Sequence, residues 1–269
     1  MAGRPVGLSG GKDSVVLTQV LAETFESDPR VELVAVTIHE GIEGYRDESL
    51  AACEELVAEL GIAHETVSYA KAFGVRMDDV AEEDPLDTAP CAYCGVFRRD
   101  LLSAAAERHD ADLLLTGHDL DDEAQTAVMN YLSGDVEQAA RHFDASLGPL
   151  DERHASGAFV PRAEPLRDVP EKEVALYAHL RELPMHHAAC PHAEESFRAT
   201  VRDLLLELEA DHPGTRHGVL SGYEEFAAMA AARYREDDPS VGACERCGAP
   251  TDGGARRKCQ LLDAVGGSA

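Results

Sequence analysis

Tryptophan is absent from the 269-residue sequence, and lysine occurs only four times. There are 24 basic and 51 acidic residues, so the formal net charge is -27. Taken alone, this excess argues against binding to nucleic acid, whose phosphates would be repelled. Acidic residues are spread over every predicted helix, however, which is typical of a surface adapted to molar salt. At 1 M salt the Debye length is about 3 Å, so local basic patches decide binding. We therefore expect a protein from a high-salt-adapted (halophilic) organism.

The sequence also lacks a long apolar run and a signal-peptide pattern. A transmembrane helix needs about 20 consecutive apolar residues, so we expect a soluble, cytoplasmic protein with no membrane partner. Hydrophobic residues make up 44% of the chain. This content is sufficient for one large domain with a small appendage.

Short apolar runs alternate with helical patterns in the first half of the chain. Strands are predicted at residues 6–8, 31–38, 64–69 and 112–116. This alternation predicts an α/β fold with a doubly wound parallel sheet. The first predicted strand is short and follows Pro5, so we expect that the chain is truncated at its start or lacks an upstream segment.

Three parts of the chain differ in pattern. Residues 1–165 contain the predicted sheet, although residues 134–165 have the composition of a loop. Residues 166–240 are helical by pattern, with helices predicted at 171–183, 194–210 and 223–235. Residues 241–269 form a small cysteine-containing module.

A glycine-rich loop joins the first strand to the first helix. It consists of Ser9, Gly10, Gly11, Lys12, Asp13 and Ser14. The glycines permit a sharp turn and close approach of a ligand, and the helix N-terminus attracts anions. Lys12 and the serines add donors for phosphate oxygens. The spacing is not that of a Walker loop, and the simplest alternative is a plain strand–helix turn.

A second polar segment follows the fourth predicted strand. Gly117 and His118 precede a run of carboxylates, and His39 ends the second strand. The carboxyl ends of parallel strands form the ligand-binding edge of such a sheet. Asp119 is placed to cap the next helix, while the carboxylates at this edge could carry Mg²⁺ or position a reacting hydroxyl.

Cys91 and Cys94 open a predicted helix beside Arg98 and Arg99, an environment expected to lower the thiol pKa. In a chain without a signal peptide, a CxxC pair favours metal or redox chemistry over a disulfide. Together with Cys190 there are three ligands. That is too few for a tetrahedral zinc site but enough for a cubane iron–sulfur cluster with one open iron. The alternative is a CxxC turn and an unrelated core cysteine.

The C-terminal module has its own cysteines. Cys244 and Cys247 resemble half of a zinc ribbon, and Cys259 follows. Arg256 stands where a second CxxC pair would need its first cysteine. Zinc binding by Cys244, Cys247 and Cys259 is therefore left open.

Basic residues near these motifs are candidate phosphate contacts, since a patch in an acidic surface would stand out. The candidates are Arg98, Arg99, Arg141, Arg198, Arg202, Arg216 and the cluster 256–258.

These motifs together resemble the tRNA 2-thiolation branch of the PP-loop ATP pyrophosphatases, in particular its archaeal wobble-uridine members. The matching segments are SGGKDS at 9–14, EGIEGYRDESL at 40–50, CAYCGVFRR at 91–99, GHDLDDEAQTAVMNYLSGD at 117–135, EPLRDVPEKEVALYAHLRELP at 164–184, CPHAEESFRATVRDLL at 190–205, PGTRHGVL at 213–220 and CERCGAPT at 244–251. The resemblance covers nearly the whole chain and implies that residues 1–165 form the ATP-binding catalytic domain.

The resemblance implies a reaction and a set of site residues. ATP, with Mg²⁺, would adenylate the C2 oxygen of a uridine in tRNA, and sulfur would replace that oxygen. ATP would bind to residues 9–14, His39, Gly117 and His118. Cys91, Cys94 and Cys190 would hold a 4Fe–4S cluster, and Cys91, Cys190 and Asp121 would be catalytic.

The resemblance also implies partners, and it leaves alternatives. Sulfur would come from a ubiquitin-like carrier protein made by an E1-like activating enzyme, and a homodimer is an open expectation. Two of the three cysteines could instead act as persulfide and disulfide residues. The family has Lys in some members where this chain has Arg98. Thiolation of a T-loop uridine or of cytidine, amidation of a small acid and a non-catalytic PP-loop partner are the alternative functions.

Overall fold

A five-stranded parallel sheet forms the centre of the molecule, which we describe from a computed structural model covering residues 3–83, 85–149, 160–192, 197–236, 242–251 and 254–268. The strands are β1 (Gly3–Gly7), β2 (Glu32–His39), β3 (Ala63–Ser68), β4 (Leu114–Leu115) and β5 (Arg162–Ala163), in the order β3-β2-β1-β4-β5. The expected doubly wound α/β fold is confirmed. The strand order reverses between β1 and β4, which is where such sheets bind ligands.

The first strand is longer than its apolar run predicts. β1 pairs with β2 over five residues, from Gly3 opposite Glu32 to Gly7 opposite Val36. Val6 also pairs with Leu115 of β4 and is fully buried. Hydrophobic pattern alone missed Gly3 to Pro5, since their place in the sheet comes from pairing with β2.

Helices cover both faces of the sheet. The helices of the first half are α1 (Lys12–Phe25), α2 (Tyr45–Leu60), α3 (Tyr69–Phe73), α4 (Met77–Glu83), α5 (Pro90–Arg108) and α6 (Leu120–Ser133). α5 packs against β1 and β2 through Phe97 and Leu101. Gly61 ends α2 in the left-handed region, with φ of 65°, as its place in the sequence predicts.

The prediction of a loop over residues 134–165 is wrong where the structure describes this segment. It contains α7 (Val136–His142), a π-helical turn (Phe143–Leu147) and β5. Ala139 and Ala140 are buried in apolar clusters shared with the later helix that carries Tyr223 and Ala231. Small apolar side chains give a weak periodic pattern, so tertiary packing rather than local sequence decides this segment.

The second half is helical, as predicted, with α8 (Glu171–Leu180), α9 (Phe197–Asp211) and α10 (Thr215–Glu236). α10 begins eight residues before the predicted start at residue 223. The C-terminal module has a short antiparallel pair, β6 (Gly242–Ala243) and β7 (Pro250–Thr251), and α11 (Arg257–Ala264). Leu261 and Leu262 of α11 are buried in the core beside Phe73 and Phe97.

No helix in the described part of the chain is both long enough and apolar enough to cross a membrane.

Candidate active site

The glycine-rich loop is held in shape by its own serines. Ser14 Oγ accepts a hydrogen bond from the Ser9 amide at 3.0 Å and donates one to the Gly11 carbonyl at 3.0 Å. Gly10 has φ of +84°, a conformation that favours glycine, and Gly11 is the N-cap of α1. The loop therefore sets the N-terminus of α1 at the switch point, where phosphate binds well.

Two glycines allow neighbouring segments to approach the loop. A Cβ at Gly10 would lie 2.4 Å from the carbonyl oxygen of Ser49, and one at Gly117 would lie 2.9 Å from the carbonyl of Asp13. Backbone cannot retreat from such a contact without moving an element. Gly117 therefore serves to bring the end of β4 against the loop.

A buried arginine of α2 that was not predicted as a site residue, Arg46, holds the loop in position. Arg46 Nη2 donates a hydrogen bond to Glu40 Oε1 at 2.7 Å, and its Nε forms an ion pair with Oε2 at 2.5 Å. Its third nitrogen donates to the Ser9 carbonyl at 2.9 Å. Arg46 is 3% exposed and Glu40 1%. Glu40 and Arg46 stand six positions apart in the segment EGIEGYRDESL. This acid and this base were the sequence signal that could have predicted the contact.

One cavity of about 470 Å³ connects the predicted nucleotide loop to a predicted sulfur residue. Its lining includes Lys12 and Asp13 from the loop, Asp119 and Asp121 from the start of α6, and Cys190. Arg198 and Arg202 of α9 complete one wall. Residues from three motifs that are far apart in sequence thus line the same cavity.

Lys12 is surrounded by carboxylates in this cavity. Its Nζ lies 2.9 Å from Asp13 and 2.8 Å from Glu171. Burial works against the charge of Lys12, but hydrogen bonds to Glu171 and Asp13 outweigh it and raise its pKa. ATP would have to replace these partners with phosphate oxygens.

The carboxylates of the cavity fit a divalent cation. Burial and the neighbouring charge of Asp122 raise the pKa of Asp119 to about 8, and burial raises that of Asp13. Among the described residues, Asp13 Oδ1 is buried with no hydrogen-bond partner. Oxygen ligands of this kind suit Mg²⁺, whose charge would favour their ionised form. Asp119 also caps α6, as predicted, by accepting from the Asp122 amide at 3.0 Å.

Asp121 lines the same cavity but is tightly held. Its Oδ2 accepts from the Glu171 amide at 2.8 Å, and its Oδ1 is paired with Arg216. Asp121 and Arg216 are 5% and 6% exposed. Both carboxylate oxygens of Asp121 are thus engaged within the protein, and a catalytic role for Asp121 stays a prediction.

The two predicted nucleotide-binding histidines lie at the sheet edge outside the cavity lining. His39 Nδ1 accepts from the Gly41 amide at 3.2 Å, and its Nε2 is 3.5 Å from Asp47. His118 Nδ1 is 3.2 Å from the Thr116 hydroxyl. Burial, followed by the charge of Arg98 among others, lowers the pKa of His118 to about 4. His118 is therefore neutral at pH 7.

The three predicted cluster cysteines converge beside the loop. Cys94 and Cys190 pack on the same core cluster, and the sulfur of Cys91 is 3.6 Å from the His192 carbonyl. The segment that carries Cys190 is tied at both ends. The His186 amide donates to the Gly10 carbonyl at 2.8 Å, and His192 Nε2 lies 2.8 Å from Asp78 of α4.

The sulfurs of Cys91, Cys94 and Cys190 are not all within 4.8 Å of one another, so they do not form a compact single-ion site. Among the described residues, the three-ligand group with all donor atoms within 4.8 Å is Cys244, Cys247 and Cys259 instead. A cubane binds each cysteine to a different iron, so its ligands stand further apart than those of zinc. The expectation of a lowered thiol pKa is wrong for Cys94, because burial raises it and outweighs the charge of Arg98.

The C-terminal cysteines do come together. Cys244 and Cys259 have their sulfurs 3.8 Å apart, and the Arg256 amide donates to Cys244 at 3.3 Å. Hydrogen bonds from backbone amides, that of Arg256 first, lower the pKa of Cys244 to about 6. The side chain of Arg256 is 3.1 Å from Asp100 of α5. Three thiols fit a zinc ion with one position left for another ligand.

Comparisons with known proteins show the family of the chain. The model of the PP-loop domain family matches residues 4–209. The tRNA 2-thiolation protein NcsA of Haloferax volcanii is 60% identical over 261 residues, covering 97% of this chain and 81% of that protein. Cytoplasmic tRNA 2-thiolation protein 1 of Bos taurus is 40% identical over 266 residues, covering 97% and 73%.

A solved structure matches as well. The U34-tRNA thiolase NcsA of Methanococcus maripaludis, determined with its 4Fe–4S cluster, superposes with a TM-score of 0.73 at 36% identity. The match covers 84% of this chain and 73% of the other. The chain therefore belongs to the PP-loop family and, within it, to the tRNA 2-thiolation proteins.

Proposed function

We propose that this protein is an ATP-dependent tRNA sulfurtransferase that converts a uridine, at the wobble position, to 2-thiouridine. The observation that carries the proposal is the shared cavity, in which Lys12 of the nucleotide loop and Cys190 line the same space. The names of the haloarchaeal, bovine and methanogen relatives support the same activity. A phosphate site alone would not distinguish thiolation from other PP-loop reactions, whereas a thiol site opening on it does.

The first step is adenylation of the uridine. The C2 oxygen attacks the α-phosphorus of ATP, the bond to the β-phosphate breaks, and pyrophosphate leaves. The N-terminus of α1 and the ammonium of Lys12 stabilise the charge on the phosphates. Asp13 and Asp119 would hold Mg²⁺, while Arg46 keeps the Ser9 carbonyl, and hence the loop, in position.

The second step replaces oxygen by sulfur. Cys91, Cys94 and Cys190 would hold a 4Fe–4S cluster, whose iron without a cysteine ligand can supply sulfide to the activated carbon. A new C2–S bond forms, the C2–O bond breaks, and AMP leaves with the oxygen. The His186 and His192 contacts hold the Cys190 segment between the loop and α4. These contacts support a sulfur site next to the nucleotide loop.

Further partners rest on the resemblance. A ubiquitin-like carrier and its E1-like activating enzyme would deliver the sulfur, and the bovine relative's name supports a cytoplasmic location. Cys244, Cys247 and Cys259 would bind zinc as a structural ion, since α11 packs into the core beside α5.

The proposal is tested by identifying the product. Purified protein, loaded anaerobically with iron and sulfide, is mixed with unmodified tRNA, ATP and Mg²⁺, and the nucleosides are analysed by mass spectrometry. We expect 2-thiouridine and AMP from the wild type and from the control Cys53→Ser, a buried cysteine outside the site, but no thiouridine from Cys94→Ser. Thiocytidine, or no thionucleoside from loaded wild type, would contradict the proposal.

A further inference from the structure

The segment that carries Cys190 has no regular secondary structure of its own. Residues 183–190 form neither helix nor strand, whereas Cys91 and Cys94 lie together near the start of α5. Positions three apart on a helix are neighbours, so the helix itself fixes the spacing of that pair. The place of Cys190 relative to them depends instead on contacts made by the folded chain. Residues that hold this segment therefore decide whether the three cysteines form one ligand set.

His192 connects this segment to the helix that carries the other two cysteines. Its carbonyl accepts a hydrogen bond from the Cys91 thiol at 3.6 Å, across 101 positions of the chain. Its imidazole donates through Nε2 to Asp78 Oδ1 of α4 at 2.8 Å, across 114 positions. Because His192 also lies close to Cys190 in sequence, its contact with Asp78 acts on two of the three predicted cluster ligands.

Asp78 is itself held in place by other contacts. Its second carboxylate oxygen, Oδ2, accepts a hydrogen bond from the Glu43 amide at 2.9 Å. The neighbouring Met77 is 1% exposed, and its amide donates to the Glu40 carbonyl at 2.8 Å. A side chain that is already ordered loses little conformational freedom when it binds one more partner. Asp78 is therefore a fixed anchor for His192.

Glu40, which supports this anchor, also supports the nucleotide loop. Its carboxylate accepts from Arg46 Nη2 at 2.7 Å, and Arg46 Nη1 donates to the Ser9 carbonyl at 2.9 Å. The backbone of Glu40 thus holds the start of α4, while its side chain holds the arginine behind the loop. Contacts run from the loop, through Glu40 and the first turn of α4, to His192. The nucleotide loop and the cysteine segment are therefore placed by the same group of residues.

We propose that Asp78 and His192 are positioning residues, which hold Cys190 beside Cys91 before the iron–sulfur cluster binds. The two side chains are 31% and 24% exposed, so their ion pair adds little to the stability of the fold. Its effect is on the arrangement of the thiols, since loss of an outer contact that orients metal ligands lowers metal affinity by about 10- to 100-fold. This inference rests on the proposed function, in which the three cysteines hold the cluster.

Cluster retention and local hydrogen exchange test the proposal. Wild type, Asp78→Ala, His192→Ala, the double alanine variant and His192→Gln are loaded anaerobically with iron and sulfide, and iron loss to a chelator is followed by absorbance. Hydrogen exchange of residues 183–192 is measured by mass spectrometry on the same proteins before loading, and ATP affinity is measured in parallel. The matched controls are Asp79→Ala and His187→Ala, which replace exposed neighbours on α4 and in the same segment.

Both single alanine variants should lose iron about tenfold faster than wild type, with faster exchange of residues 183–192. The double variant should be no worse than either single variant, because the two side chains form one contact. His192→Gln should recover most of the retention, since its amide nitrogen can replace Nε2 as the donor. Both controls should behave as wild type does. ATP affinity should be unchanged throughout, because the loop and Arg46 are not altered.

Three results would overturn the proposal. The first is iron loss and exchange at wild-type rates in both alanine variants. The second is an additive effect in the double variant, which would show that the residues act separately. The third is a fall in ATP affinity that accompanies the iron loss, which would assign Asp78 a general structural role. If Asp78→Ala fails to fold, His192→Ala and His192→Gln decide. Loaded wild type that retains iron through this pair but forms no thiouridine would refute the proposed function alone.

Discussion

Single residues set the shape of the nucleotide loop. Arg46 spans Glu40 and the Ser9 carbonyl, so one buried guanidinium fixes both the loop and the strand end beside it. Arg46→Lys keeps the charge but loses the fork. A charge-assisted hydrogen bond contributes about 1.5–3 kcal/mol, so we expect the KM for ATP to rise at least about tenfold, with iron content unchanged.

The matched control is Arg30→Lys. Arg30 makes the same two-nitrogen contact with Asp28, at 2.9 and 2.7 Å, but on the surface and away from the site. The KM of the Arg30→Lys variant for ATP should not change. Equal KM values for the two variants, measured by steady-state AMP release, would show that Arg46 is only structural.

Sequence motifs located the loop, the cysteines and the acidic run, since spacing within a motif reports local geometry. They did not locate Arg46 or His186. The roles of these two residues depend on partners brought close by the fold, such as His186 and Gly10, which are 176 positions apart. A motif does not show which of its charges are neutralised from elsewhere.

At the scale of elements, α6, α7 and α10 enclose a buried titratable pair. Glu123 is 4% exposed, and its Oε2 is 3.5 Å from His142 Nε2. Burial, helped by the charge of Glu164, raises the pKa of Glu123 from 4.5 to about 8, and burial lowers that of His142 from 6.5 to about 4. At pH 7 the native protein therefore holds a neutral acid beside a neutral imidazole.

The sign of the pH effect follows. Between pH 4.5 and 8 native Glu123 binds a proton that the unfolded chain lacks, so stability falls as pH rises. The lowered pKa of His142 has the opposite effect on stability, but only below pH 6.5, the ordinary pKa of histidine. We expect Glu123→Gln to flatten the curve between pH 7 and 8 by up to about 1.4 kcal/mol per pH unit. Urea unfolding at both pH values measures this, and parallel curves for variant and wild type would rule it out.

Elements with strong periodicity were predictable, and those fixed by packing were not. α1, α2 and β2 follow from their apolar pattern. α7 and the first turns of α10 do not, because their contacts use alanine and other small residues that any secondary structure can contain. β1 was underestimated because Gly3 to Pro5 join the sheet through pairing with β2.

The whole molecule carries a net charge of -27 and so repels itself. Screening falls from a Debye length of about 30 Å at 0.01 M salt to about 10 Å at 0.1 M and 3 Å at 1 M. We expect the melting temperature to rise steeply with KCl at low concentration and to level off towards 1 M. Differential scanning calorimetry across this range checks it. A melting temperature independent of KCl would remove the electrostatic explanation of the composition.

Lys12 and Cys190 line the same cavity but belong to different parts of the site. We therefore expect that mutation can separate adenylation of the uridine from sulfur transfer. In Cys190→Ser, the loop, Lys12 and the Arg46 fork stay in place, while the sulfur site loses one of three ligands. The most direct measurement quantifies two products of one anaerobic reaction. The first is AMP or adenylated tRNA, which reports adenylation, and the second is 2-thiouridine, which reports sulfur transfer. Wild type, Lys12→Ala and Cys190→Ser are compared. We predict that Lys12→Ala loses both products and that Cys190→Ser keeps tRNA-dependent ATP cleavage to pyrophosphate but forms no thiouridine. Undiminished thiouridine in Cys190→Ser would contradict the account.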